Sequence, residues 1–108
     1  MGIIEMEPRK AQLGALAADK ENEVGIGIKN LGDARLTIFR IVSSKFKTIY
    51  FDSKEAREIT IPAGGQRTIK LIIKPVEPGR FLDTILIYSD ARNDIGKGYK
   101  GLLAGEVR

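Results

Sequence analysis

The sequence predicts an all-β domain, a sandwich or barrel of seven or eight short strands. Three observations carry that expectation. Apolar residues recur with period two, as in Val24, Ile26 and Ile28 and again in Ile69, Leu71 and Ile73. Clusters of Gly, Pro, Asn and Asp separate these runs at short, regular spacing. No stretch sustains the 3.6-residue period of a helix. Period two places alternate side chains on opposite faces of a strand. Short strands bounded by turn signals at even spacing belong to sandwiches and barrels.

The organising stretch is Val24 to Ile38. Val24, Ile26 and Ile28 alternate with Gly25, Gly27 and Lys29, then Asn30-Leu31-Gly32-Asp33 supplies turn chemistry, and Leu36 and Ile38 resume the alternation. Asn and Asp bond nearby backbone groups and Gly accepts positive φ, so this is strand, tight connection, strand. Before it, Ile3 to Pro8 reads as a short edge strand stopped by proline. Lys10 to Leu16 reads as a second piece of the same strand, with Ala11, Leu13 and Ala15 on one parity. In Arg35 to Val42, Leu36, Ile38 and Ile41 point inward, and the parity slip near Arg40 predicts a bulge.

Phe46 to Phe51 alternates as a short strand, Asp52 to Ala56 is a polar loop, and Arg57 to Ile61 is a short strand with Ile59 and Ile61 on one side. Pro62 to Gly65 is a turn. Gln66 to Lys74 is the clearest strand, ended by Pro75 to Gly79, where Pro78-Gly79 suits a type II turn. Arg80 to Ser89 points Phe81, Ile85 and Ile87 inward and Leu82, Leu86 and Tyr88 outward. Asp90 to Lys97 is a loop, and Gly98 to Val107 closes the chain with Leu103 and Val107 inward. Gly25 and Gly27 strip one strand face bare, so another backbone or a bulky neighbour such as Ile72 is expected over it.

A chain of 108 residues is one domain, 1–108, able to bury roughly two thirds of its unfolded surface. It begins and ends inside strands, as a module cut from a longer chain would. There is no Trp and few aromatics, so aliphatic side chains must build the core. With neither Cys nor His, thiol nucleophiles, disulfides, Cys/His zinc sites and serine–histidine catalysis are all excluded. The formal charge is +4, but the basic residues are scattered; the densest local set is Arg40, Lys45 and Lys47. That set is the candidate surface for a polyanion or nucleic acid, a weaker reading than a solubilising surface. No run approaches the roughly 18 apolar residues of a membrane span. The compartment stays open: periplasm or cell surface if a targeting segment has been removed, cytoplasm otherwise.

The layout also resembles a known family. Leu13-Gly14, then Val24-x-Ile26-x-Ile28-x-Asn30-x-Gly32-Asp33-x-x-Leu36-x-Ile38, then Ile61-Pro62-Ala63-Gly64, then Gly79-x-Phe81 with Ile85-x-Ile87-x-Ser89, and finally Gly105-x-Val107 follow one another over nearly the whole chain. This resembles the immunoglobulin-like domains of the hydin and major-sperm-protein type and their bacterial and archaeal relatives of unknown function. The resemblance implies an immunoglobulin-like β-sandwich of mostly antiparallel strands in two sheets. It also implies a non-catalytic module that binds another protein or a neighbouring domain, or spaces domains apart. One departure is Ser43-Ser44-Lys45-Phe46-Lys47, where many bacterial relatives carry a Ser-Cys-x-Cys run.

Few residues suggest chemistry. Asp90 to Gly96 holds oxygen ligands near a glycine but lacks the EF-hand spacing, and turn formation explains it better than calcium. Asp52, Glu55 and Glu58 cluster in sequence within a basic, polar loop and read as solvated charges. Gly64-Gly65 is not a phosphate loop, since no helix start follows. No metal, cofactor or small-molecule substrate is implied. The sharpest lead is outward parity. If the third, sixth and seventh strands share a sheet, as in the usual sandwich order, Phe39, Leu86, Tyr88 and Leu102 meet on its outer face. A contiguous exposed apolar patch marks an interaction site. Sandwich edges offer a second route, strand addition by a partner peptide.

Overall fold

The computed structural model describes residues 2–45, 48–53, 58–91 and 98–108. Those residues form β1 (Ile4–Met6), β2 (Lys10–Leu16), β3 (Asn22–Asn30), β4 (Leu36–Ser43), β5 (Ile49–Asp52), β6 (Ile59–Ile61), β7 (Gln66–Ile73), β8 (Gly79–Ser89) and β9 (Tyr99–Val107). One sheet has the order β1-β3-β7. The other runs β2-β9-β8-β4-β5, with β6 paired to the start of β4. Every pairing is antiparallel except β2 with β9.

The first strand does run in two pieces, but they belong to different sheets: β1 pairs β3, and β2 pairs β9. The chain crosses between them over Glu7–Arg9, where the Glu7–Pro8 bond is cis. Backbone bonds hold both ends of the crossing: Glu7 N–H donates to the Gly27 carbonyl at 2.9 Å, and Leu102 N–H donates to the Arg9 carbonyl at 2.8 Å. Gly27 has to be glycine here. A Cβ on it would lie 2.6 Å from the Glu7 carbonyl oxygen. The bare face of β3 therefore admits a backbone, as expected, but Ile72 is not the neighbour; it stands opposite Glu23.

Bulges set which side chains face inward. In β2 the register shifts between Gln12 and Gly14, so Leu16 is buried and Ala15 exposed, the reverse of simple alternation from Ala11. In β4 the shift falls between Ile38 and Arg40. Phe39 is the extra residue, and Ile38 and Ile41 both stay in the core. A second shift opposite Phe51 and Ile49 lets Tyr50 and Phe51 both pack on the core and leaves Ile49 outside. The expected strand start at Phe46 and Lys47 lies outside the described residues, as does Arg57.

The core between the sheets is aliphatic. Ile4, Met6, Ile26, Ile28, Ile69, Leu71 and Ile73 of the small sheet meet Leu36, Ile38, Ile41, Phe81, Ile85, Ile87, Leu103 and Val107 of the large one. Met6 reaches across onto Gly101, where any side chain would collide with its sulfur.

The family-like turn residues form one buried polar joint. Asn30 is fully buried. Its Oδ1 accepts from Ile3 N–H at 3.2 Å and Gly32 N–H at 3.0 Å. Its Nδ2 donates to the carbonyls of Ala34, Ile61 and Pro62 at 2.8, 3.1 and 3.3 Å. Its own N–H donates to the Gly65 carbonyl at 2.9 Å. One amide thus ties the Asn30–Ala34 turn to the Ile61–Pro62 segment. Asn22 does similar work at the other end of β3, bridging Ala17 and Lys20 to the Ile73 carbonyl. A buried polar group is tolerated when every donor and acceptor is matched.

Candidate functional site

β4, β8 and β9 lie side by side, so their outward residues share one face. Along β8 these are Leu82, Thr84, Leu86 and Tyr88. Val42 and Lys100 flank Leu86, Leu102 flanks Thr84, Ala104 flanks Leu82, and Arg40 stands beside Tyr88. Leu102 is therefore diagonal to Leu86, within reach of a long side chain on the same face. The β4 bulge turns both Phe39 and Arg40 outward near Tyr88. Leu86 and Tyr88 are half-buried, and Phe39 and Leu102 are 40 and 42 % exposed. Gly98 gives the Tyr88 ring its seat: a Cβ there would come within 3.2 Å of the ring.

The structure extends this set. Leu82, 44 % exposed, continues the row along β8, and Ile49, 50 % exposed, stands opposite Val42 on β5. The outward parity of Leu82 was visible in the sequence. Ile49 was hidden by the bulge that fixes the face of β5. Lys10, Arg40 and Lys100 surround the apolar residues, each exposed and each beside a member of the row.

Of the polyanion candidates, Arg40 pairs in register with Asp52, and Lys45 sits in the turn after β4. Lys47 lies outside the described residues. Asp52 and Glu58 are described and Glu55 is not. In the Asp90–Gly96 loop only Asp90 and Ala91 are described. Asp90 Oδ1 accepts from Thr37 N–H at 2.8 Å, which ties the chain just after β8 to the start of β4.

A buried cluster that sequence reasoning missed lies under the same sheet. Asp83 is buried on the inward side of β8, between Phe81 and Ile85. Its Oδ1 accepts from the Ser43 hydroxyl at 2.9 Å and from Lys45 N–H at 3.4 Å, and its Oδ2 accepts from the Tyr50 hydroxyl at 2.9 Å. Burial, reinforced by the Asp83 carboxyl, pushes the Tyr50 hydroxyl well above its usual pKa. The carboxyl is saturated by donors from β4, β5 and the turn, so it pins those elements to β8. An ionisable residue at an inward parity position was the signal in the sequence. Among the described residues, no group of three acidic, His or Cys side chains could hold a metal ion, and no helix is long and apolar enough to cross a membrane.

Known structures share this arrangement. The ASH/PapD-like domain 7 of human CEP192 superposes with a TM-score of 0.63 at 9 % identity, covering 97 % of this chain and 84 % of that one. The fold is therefore an immunoglobulin-like β-sandwich similar to that of PapD-like domains. WR4, an MSP family member of C. elegans, matches over the full length of both chains with a TM-score of 0.51 at 11 % identity. The CARDB domain of PF1109 from Pyrococcus furiosus, described in complex with di-metal ions, matches with a TM-score of 0.54 at 11 % identity over 99 % of this chain and 85 % of that one. Such identities establish the MSP-like fold and nothing finer. The same fold also occurs as one part of enzymes, spanning 31 % of two of them. No family model matches the sequence and no curated protein is significantly similar to it.

Proposed function

We propose that this MSP-like domain is a non-catalytic interaction module that docks another protein, or a neighbouring domain of a longer chain, on the outer face of its larger sheet. The observation that carries this reading is the contiguity of outward apolar side chains from adjacent strands: exposed Phe39, Leu82 and Leu102 and half-buried Leu86 and Tyr88, with exposed Ile49 beside Val42. Single exposed apolar residues are ordinary, whereas a joined row with a charged rim is the usual form of a docking surface. Aromatic side chains such as Phe39 and Tyr88 supply contact area at low entropic cost, which suits anchors. The lack of His and Cys and the saturation of Asp83 support a non-catalytic role.

The test is affinity capture from source-cell lysate with three baits: wild type, Leu86→Asp/Tyr88→Asp, and Glu5→Lys on β1 of the smaller sheet as a control. Circular dichroism first establishes that each is folded. Proteins held by wild type and control but lost by the double variant support the reading. An identical set on all three baits refutes it. A polyanion surface has less support, because Arg40 is matched by Asp52 in register. It would require binding to DNA or heparin that weakens steeply with salt.

A further inference from the structure

We infer that β7 is a second, separate docking element, which accepts an acidic extended peptide by strand addition. β7 pairs β3 on one side and, among the described residues, nothing on the other. Alternate residues of β7, those whose backbone groups do not bond β3, therefore present N–H and C=O groups to a further strand. Charge decides what kind of strand. Arg67 and Lys70 on β7 and Lys74 just beyond it give three cations and no carboxylate over residues 66–74. Two copies of β7 would repel one another, and an acidic strand would be drawn in. The Lys70–Glu23 ion pair, at 3.2 Å, is solvent-exposed and exchangeable for a partner carboxylate.

Beside this edge lies a cleft of about 630 Å³ between the end of β7 and the start of β5. Tyr50, Ile72, Ile73, Val76 and Phe81 contribute to its apolar lining, and Leu82 borders both this cleft and the outer face of the large sheet. Lys45, Lys74 and Arg80 stand around it against the single carboxylate of Glu77. Lys74 and Arg80 form no ion pair among the described residues. Ile69, Leu71 and Ile73 of β7 face inward, Gln66, Thr68, Lys70 and Ile72 face outward, and Arg67 is exposed near the start of the strand. The complement is a peptide alternating aliphatic and acidic residues, aliphatic side toward the cleft and acidic side beside Lys70 and Lys74. Main-chain bonds then supply affinity and alternate side chains supply selection.

The probe is a fluorescein-labelled eight-residue peptide alternating Glu and Val, measured by fluorescence anisotropy against the intact domain. A Lys/Val peptide is the charge control. A Glu/Val peptide N-methylated at every second residue, in both registers, is the hydrogen-bond control. We expect saturable binding of the Glu/Val peptide, at least tenfold loss with Lys70→Glu/Lys74→Glu, and at least tenfold loss on N-methylation in one register. Bound peptide should slow hydrogen exchange at alternate amides of β7. Leu86→Asp/Tyr88→Asp should leave this binding intact, which separates the β7 edge from the outer face of the large sheet. Equal binding of both N-methylated peptides, unchanged exchange along β7, or undetectable binding of the Glu/Val peptide overturns the inference.

Discussion

Replacing Asn30 with alanine should remove the joint that holds three segments together. Its side chain engages five backbone groups, accepting from two N–H groups and sharing its two amide protons among three carbonyls. Gly32 and Ala34 lie close enough to solvent for water to replace the lost partner. The Ile61 carbonyl is buried, and an orphaned buried group costs about 1–3 kcal/mol. Adding the lost favourable bonds at Gly32 and Ala34, about 1 kcal/mol each, gives roughly 3–5 kcal/mol. Domains of this size have about 5–15 kcal/mol in all. A loss of 3 kcal/mol lowers Tm by about 12 °C or more. Thermal circular dichroism and urea unfolding measure both quantities. Asn30→Asp should fare no better, since it keeps the acceptors but places a carboxylate against the carbonyls of Ala34, Ile61 and Pro62. An Asn30→Ala protein melting within about 3 °C of wild type would show that the joint is not what couples β3 to the turn before β7.

Tyr50→Phe should cost about 1–2 kcal/mol in urea unfolding, the value of a hydroxyl bond to a buried carboxyl. The raised Tyr50 pKa also has a sign in pH. The folded protein holds that proton more tightly than the unfolded chain, so the stabilisation is complete below about pH 10 and is lost as pH rises beyond it. Lys29, raised by its hydrogen bond to Glu7, works in the same direction. Alkaline unfolding should therefore be less steep in Tyr50→Phe, read by near-ultraviolet titration. Gly27→Ala should destabilise by about 1–3 kcal/mol because the new methyl meets the fixed Glu7 carbonyl. Gly14→Ala, in open space at φ 72°, should cost only the left-handed backbone penalty of about 1–2 kcal/mol.

Much of the fold was legible because parity and burial coincide along the longer strands. Ile26 and Ile28, Ile69 to Ile73, and Phe81 to Ile87 all face as alternation requires. What alternation could not show were the points where register shifts. The slip at Phe39 left a trace because Ile38 and Ile41 are both strongly apolar. The slip at Leu13 left none, since Ala15 and Leu16 are both apolar and only the pairing of Gly14 with Gly105 selects between them. Sheet assignment of β2 was equally hidden: it depends on the crossing at Glu7–Arg9, a non-local contact with Gly27 and Leu102. The outer face was readable from the parity of Leu86 and Tyr88. Ile49 was not, because its facing is set by a bulge in its neighbour. Asp83 shares the inward parity of Phe81 and Ile85, but its role rests on the non-local partners Ser43 and Tyr50, which alternation does not show.

Site-specific photo-crosslinking bears most directly on the central claim of docking at the large sheet. A photoreactive phenylalanine derivative is placed at Leu102 or Phe39 on the proposed face, or at Glu5 on β1, the edge of the small sheet away from β7, and irradiated in source cells. The docking account predicts a discrete protein adduct from positions 39 and 102 and none from position 5. An adduct from position 5 alone, or no discrete adduct from 39 and 102, would contradict it.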